Sequence, residues 1–161
     1  MHPLWRTPRR KPQSGPSGTE PIGPDEPDQP DGLHGATDLR HRLVIEAMPD
    51  SVAVARALIR SVVGATTPER AEPAAVCGSE LVANAVVHGM PPILLTVVSG
   101  TARVVVSVED ASRTPPAPRL PGPTEPSGRG TLLVDRLADR WGVDFLPDGK
   151  RVWCLFVVPP P

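Results

Sequence analysis

Proline decides where this chain can form regular structure. It lacks an amide hydrogen and fixes φ, so helices and central strands tolerate it only near their edges. The 161-residue sequence holds 23 prolines and 14 glycines; spread evenly, they would leave no room for a helix longer than two turns. They are clustered instead, eight within residues 1–35 and six within 111–127. What is left is a globular core interrupted by two proline-rich segments. A core of that size can be stable without disulfide or metal staples.

Residues 1–38 carry few apolar side chains and a proline every three to five positions. Such a segment cannot bury enough surface to offset its ordering entropy, so a disordered tail is expected. Net charge is −1, and the tail is locally polarised: Arg6, Arg9, Arg10 and Lys11 precede Glu20, Asp25, Glu26, Asp28 and Asp31. The remainder is neutral, which argues against direct nucleic-acid binding through a basic face. Cys77 and Cys154 both sit in apolar stretches and read as buried, reduced thiols. The longest apolar run, Val152–Val158, is far too short to span a membrane. Arg9-Arg10 resembles the start of a twin-arginine signal, but no hydrophobic segment follows it. A cytoplasmic location is therefore expected.

Order is expected from Leu39 onward. Leu43–Ala47 reads as a strand, and Asp50 or Ser51 as the cap of a helix running to about Val63, with Gly64 ending it. Thr67-Pro68-Glu69 opens a second helical stretch, either kinked by Pro73 or starting properly at Ala74, that stops at Gly89. Ile93–Val98 and Arg103–Glu109 read as strands joined at Gly100-Thr101. Residues 111–127 form a long loop, a length that compact domains reserve for lids and binding loops. A helix over Thr131–Arg140 follows, then strands Trp141–Leu146 and Arg151–Val158 around Pro147-Asp148-Gly149. This order predicts an α/β fold, a two-layer sandwich whose mixed sheet is covered by helices on one face.

Three places could carry chemistry. Glu80, Asn84 and His88 are spaced by four residues, each step advancing about 40° past a full turn, so they form one stripe on the second helix. A carboxylate and a carboxamide there either face water or need partners. Glu109-Asp110 ends a strand beside the long loop, where Asp110 reads equally as a ligand group or a loop cap. Gly128-Arg129-Gly130-Thr131 opens a helix, and unpaired amide hydrogens at such a turn favour an anion.

Together these segments resemble one family. Residues 80–89, ELVANAVVHG, resemble the N-box of the GHKL ATPases, the superfamily of gyrase, Hsp90, histidine kinases and MutL. Within it they resemble most the stand-alone anti-sigma-factor serine kinases of high-GC bacteria. Residues 128–143, GRGTLLVDRLADRWGV, resemble the matching glycine box and its helix, and Gly149–Trp153 the last strand. The resemblance covers about Leu43 to Val158 and implies a Bergerat ATP-binding fold over residues 39–161, with ATP and Mg²⁺ as cofactors. It implies that Asn84 holds Mg²⁺ and that Glu80 is the general base. It implies that Asp110 accepts from the adenine amino group, and that Gly128, Arg129, Gly130 and Thr131 meet the phosphates. Residues 111–127 would close as the ATP lid, and His88 would either terminate the helix or line the nucleotide site.

This chain departs from the family at two points. Ser112 stands where a glycine ordinarily lets the backbone approach the purine, and Lys150-Arg151 replaces a Gly-Thr pair in the last strand. Arg113, Lys150 and Arg151 either touch phosphate or face solvent. The resemblance implies an ATP-dependent serine/threonine protein kinase that acts on a sigma factor or an antagonist protein, with homodimerisation possible among such proteins. A proline-rich segment before Leu39 leaves no place there for the phosphoacceptor hairpin of a sensor histidine kinase. The alternative is a nucleotide-binding adaptor or anti-sigma module without phosphoryl transfer.

Overall fold

Val104, Val106 and Val108 lie on one face of Arg103–Asp110 and are buried in the main core; on the other face Val105 and Ser107 are buried too, while Glu109 is only partly covered. In the computed structural model the described residues are 38–114 and 130–160. They form, in order, β1 (Leu39–Ile45), α1 (Asp50–Gly64), α2 (Pro68–His88), β2 (Ile93–Ser99), β3 (Arg103–Asp110), α3 (Gly130–Leu137), β4 (Arg140–Leu146) and β5 (Gly149–Val157). The five strands make one sheet in the order β1-β2-β3-β5-β4. The expected tail, residues 1–38, lies outside the described residues except for Asp38, which pairs with Arg103 at 3.6 Å.

The two-layer α/β sandwich is as expected, but the sheet is antiparallel in all four pairings rather than mixed. Connection parity explains this. Two helices separate β1 from β2, so the chain returns to β1 reversed. One helix separates β3 from β4, which run the same way, but the β4–β5 hairpin folds back and inserts β5 between them. A pairing that would have been parallel thereby becomes two antiparallel ones.

Helix α2 packs on α1 and on the sheet, and α3 packs on α2. Gly78 is the point of closest approach: a Cβ there would lie 2.9 Å from Val106 Cγ1 and would also run into Ile59. Both cysteines are free and buried, Cys77 on α2 and Cys154 on β5. The neighbouring Cys77 thiol and the surrounding burial push the Cys154 thiol well above its ordinary range. Among the described residues no helix is long and apolar enough to cross a membrane.

Several boundaries differ from expectation. Asp50 and Ser51 are the first helical residues of α1, not its cap, because the chain enters through a turn in which Ser51 N donates to Met48 O. Helix α2 runs unbroken through Pro73; so near the N-terminus the ring costs only one intrahelical hydrogen bond. β1 starts four residues earlier, carried by the ladder from Leu39↔Ser99 to Ile45↔Ile93 rather than by apolar side chains. Helix α3 stops at Leu137, because Asp139 N donates to Leu155 O and Arg140 already pairs in the sheet.

Candidate functional site

The site is built where α2 ends. That helix buries Ala74, Cys77, Gly78, Leu81, Val82 and Ala85, and steps of four from Glu80 run along the flank of this buried face. Glu80 and Asn84 are accordingly half-buried and His88 is exposed. None of the three makes a side-chain hydrogen bond or ion pair among the described residues. The stripe thus brings unspent acceptors, and one amide donor pair, to the flank of a rigid helix.

The helix terminates at Gly89, whose amide donates to Ala85 O at 2.8 Å. Gly89 is needed here for space: a Cβ would come 2.9 Å from Asp110 Cγ. Met90 N donates to Asp110 Oδ1 at 3.3 Å, and Ala111 N donates to Met90 O at 2.8 Å. These contacts tie the end of β3 to the end of α2. They bring Asp110 to the head of the stripe that carries Glu80, Asn84 and His88.

Asp110 lies opposite Lys150 in the β3–β5 register. Gly149, with φ at +157°, allows the two backbones to close, since a Cβ there would sit 2.9 Å from Ala111 Cα. Lys150 Nζ lies 3.0 Å from Asp110 Oδ1 and 2.9 Å from Oδ2, and both side chains are buried. Ser112 N also donates to Asp110 Oδ1, at 2.8 Å. The Ser112 hydroxyl accepts from Thr114 N at 3.2 Å, which caps the turn.

Lys150 was expected either at phosphate or in solvent; it is buried, because the β3–β5 ladder sets it on the Asp110 carboxylate, so the solvent reading fails. The signal was available in the sequence: pairing the strand before the long loop with the last strand sets the aspartate opposite the residue after Gly149. Arg151 faces the other side of the sheet and pairs with Glu109 at 3.0 Å. Arg113 is exposed and donates to Pro147 O. Gly128 and Arg129 lie outside the described residues, as does most of the expected lid. Gly130 and Thr131 open α3, so that helix, packed on α2, begins where the glycine turn was expected to end.

The donor set suits a magnesium–nucleotide complex held largely by phosphate and water. Asn84 offers one hard amide oxygen, and no cluster of three His, Cys, Asp or Glu that could hold a metal occurs among the described residues. A Mg²⁺ ion with few protein ligands, completed by substrate oxygens and water, is the usual arrangement for phosphoryl transfer.

The described residues thus form a two-layer α/β sandwich that sets a strand-end aspartate near a half-buried Glu/Asn stripe. The chain belongs to the histidine kinase-like ATPase domain family, whose model matches residues 45–155. The family is one of ATP-binding domains. An uncharacterized protein of Streptomyces coelicolor is 45% identical over 73 residues, which are 43% of this chain and 67% of that protein. Among solved structures, the RsbU and RsbW domains of a Mycobacterium tuberculosis protein match with a TM-score of 0.56 at 16% identity, over 76% of this chain. This chain spans a third of that one (33%), and the likeness is one of fold.

Proposed function

We propose that this chain is an ATP-dependent regulatory serine/threonine protein kinase of the anti-sigma-factor type, acting in the cytoplasm on a sigma factor or on an antagonist protein. The observation that supports this reading is the tie between Asp110 and the end of α2, which sets the Asp110 carboxylate at the head of the Glu80–Asn84 stripe. Its fold likeness to an RsbW domain points the same way.

In this reading Asp110 accepts from the adenine amino group and so orients the nucleotide. Gly128–Thr131 and the start of α3 meet the phosphates with backbone amides. Asn84 would hold Mg²⁺, which supplies charge neutralisation on the phosphates when bound. The hydroxyl oxygen of a substrate serine attacks the γ-phosphorus, the bond to the β–γ bridging oxygen breaks, and ADP leaves. Glu80 takes the hydroxyl proton. Residues 111–127 close over the nucleotide as a lid.

The test is transfer of labelled phosphate from ATP to a candidate antagonist protein. Glu80→Ala is expected to keep Mg²⁺-dependent ATP binding within about threefold while cutting transfer at least about a hundredfold, the usual range for a lost general base. Transfer by Glu80→Ala at the parental rate contradicts the assignment. A second reading, a nucleotide-binding adaptor without transfer, is favoured by the ammonium resting on Asp110. Binding by the unsubstituted protein with no transfer to any antagonist selects it.

A further inference from the structure

Trp153 is buried on the face of the sheet that no described helix covers. The main core holds residues of α1, α2 and α3 and takes one side of the sheet, Val106 on β3 and Cys154 on β5 among them. On the other side Thr96, Val98, Val105, Ser107 and Trp153 form a second buried patch, outside that core. They are cross-strand neighbours: Val98 lies opposite Val105, Thr96 opposite Ser107, and Ser107 opposite Trp153. Trp153 is only 3% exposed, yet the residues beside it in its row are Ser107 and Gly142, too small to wall in an indole. A Cβ at Gly142 would lie 2.8 Å from Trp153 Cζ2, so the ring rests on that glycine. A ring lying on a sheet keeps its upper surface out of water only under a cover. Its Nε1 is buried as well and has no hydrogen-bond partner, although a buried indole N–H ordinarily finds an acceptor.

The rim of this patch is basic. Arg40 and Arg42 on β1, Arg103 on β3, Arg151 on β5 and Arg140 on β4 share the face by register. Against them stand Glu109, Asp144 and Asp38, the last paired with Arg103. Arg40 and Arg42 are exposed and make no side-chain hydrogen bond or ion pair among the described residues. A second copy of the chain would bring the same guanidinium groups face to face, so the rim fits an acidic occupant instead.

This chain carries such a segment. Residues 20–31 hold Glu20, Asp25, Glu26, Asp28 and Asp31 and no Lys, Arg or His. Their four prolines donate no backbone hydrogen bond, which suits a segment laid across a face better than one added as a strand at an edge. The point of entry agrees, since Asp38, where the described chain begins, already sits on Arg103 of this face. Asp31 is seven residue steps from Asp38. That length reaches at most about 25 Å, and five strands are about 19 Å across. Residues 115–129 are worse placed, because Arg113 ties their start to Pro147 and their end opens α3 in the helix layer.

We propose that residues 20–31 seat on the basic face of the sheet. Their carboxylates meet Arg40 and Arg42, and the segment covers Trp153 and supplies an acceptor to its Nε1.

The experiment is acrylamide quenching of Trp153 fluorescence in the full chain carrying Trp5→Phe and Trp141→Phe, which leaves Trp153 the single indole. Circular dichroism verifies the fold of each protein. Quenching is expected to be weak, and to rise severalfold when Asp25→Asn, Glu26→Gln, Asp28→Asn and Asp31→Asn are added together. Arg40→Ala with Arg42→Ala is expected to do the same, as is sodium chloride at about 1 M, where the screening length falls to about 3 Å. If Trp141→Phe does not fold, Trp5→Phe alone carries the same comparison over a constant Trp141 background. Quenching left unchanged by the four acidic-segment substitutions overturns the proposal, and so does strong quenching from the outset. Weak quenching that gives way on dilution, with those substitutions inert, assigns the cover to a second copy and overturns it as well.

Discussion

Asp110 carries both the structural and the functional argument. Its carboxylate joins three segments: the turn after α2 through Met90, its own loop through Ser112, and β5 through Lys150. Sequence spacing located it, since a strand-end carboxylate before a long loop is a recognisable feature. The spacing left open whether it binds a ligand or caps a loop, and it does cap the 110–112 turn. Lys150 was harder to read, because a lysine after a hairpin turn is ordinarily solvated. Only the pairing of β3 with β5, two strands separated by the whole loop, α3 and β4, brings the lysine onto the aspartate. Ser112 is the converse case. Its hydroxyl accepts from Thr114 N, and what it gives to Asp110 is its backbone amide.

Helix α2 is the element on which the site depends. It was legible because Pro68 and Gly89 bracket it; that its small residues let it approach its neighbours closely emerged only from the packing. Gly78 shows that packing directly. Gly78→Val is expected to destabilise the protein by about 1–3 kcal/mol through overpacking against Ile59 and Val106, read as a lower midpoint in urea with an unchanged slope. A midpoint within error of the parent's contradicts the packing.

On its outer side α2 is clipped to α1, where Glu72 takes Arg60 at 2.7 Å and Arg56 at 2.9 Å. Those two guanidinium groups hold its carboxyl down from 4.5 to about 2. A lowered folded-state value contributes stability that is complete above the unfolded value and is lost as pH falls toward the folded one. Glu72→Gln is therefore expected to lower stability modestly at neutral pH, as suits an exposed, screened pair, by an amount that shrinks as pH falls from about 4.5 to about 2, so that the acid limb of its stability curve is flatter. An unaltered acid limb counts against the clip.

At the scale of the molecule, element order was readable and strand direction was not. Each strand was found, because apolar alternation and turn residues are local signals. Whether neighbours run parallel depends on which strand the last hairpin inserts beside, and no local pattern states that. Hence a sheet expected to be mixed is antiparallel throughout. Residues 1–37 and 115–129, which hold the tail's eight prolines and the six of the expected lid, lie outside the described residues. The stretch of loop nearest the site, Ala111–Thr114, is held by Met90, Asp110, Ser112 and Pro147.

The central claim is that the stripe on α2 and Asp110 bind a magnesium–nucleotide complex, and calorimetric titration with ATP in the presence and absence of Mg²⁺ tests it most directly. The unsubstituted protein is expected to bind ATP in a Mg²⁺-dependent manner. Asn84→Ala, folded by circular dichroism, is expected to lose the Mg²⁺-dependent component, leaving at least about tenfold weaker affinity, the loss of one ligand to the metal-bridged phosphates. No ATP binding at millimolar nucleotide, or equal Mg²⁺-dependent affinity in Asn84→Ala, would contradict it.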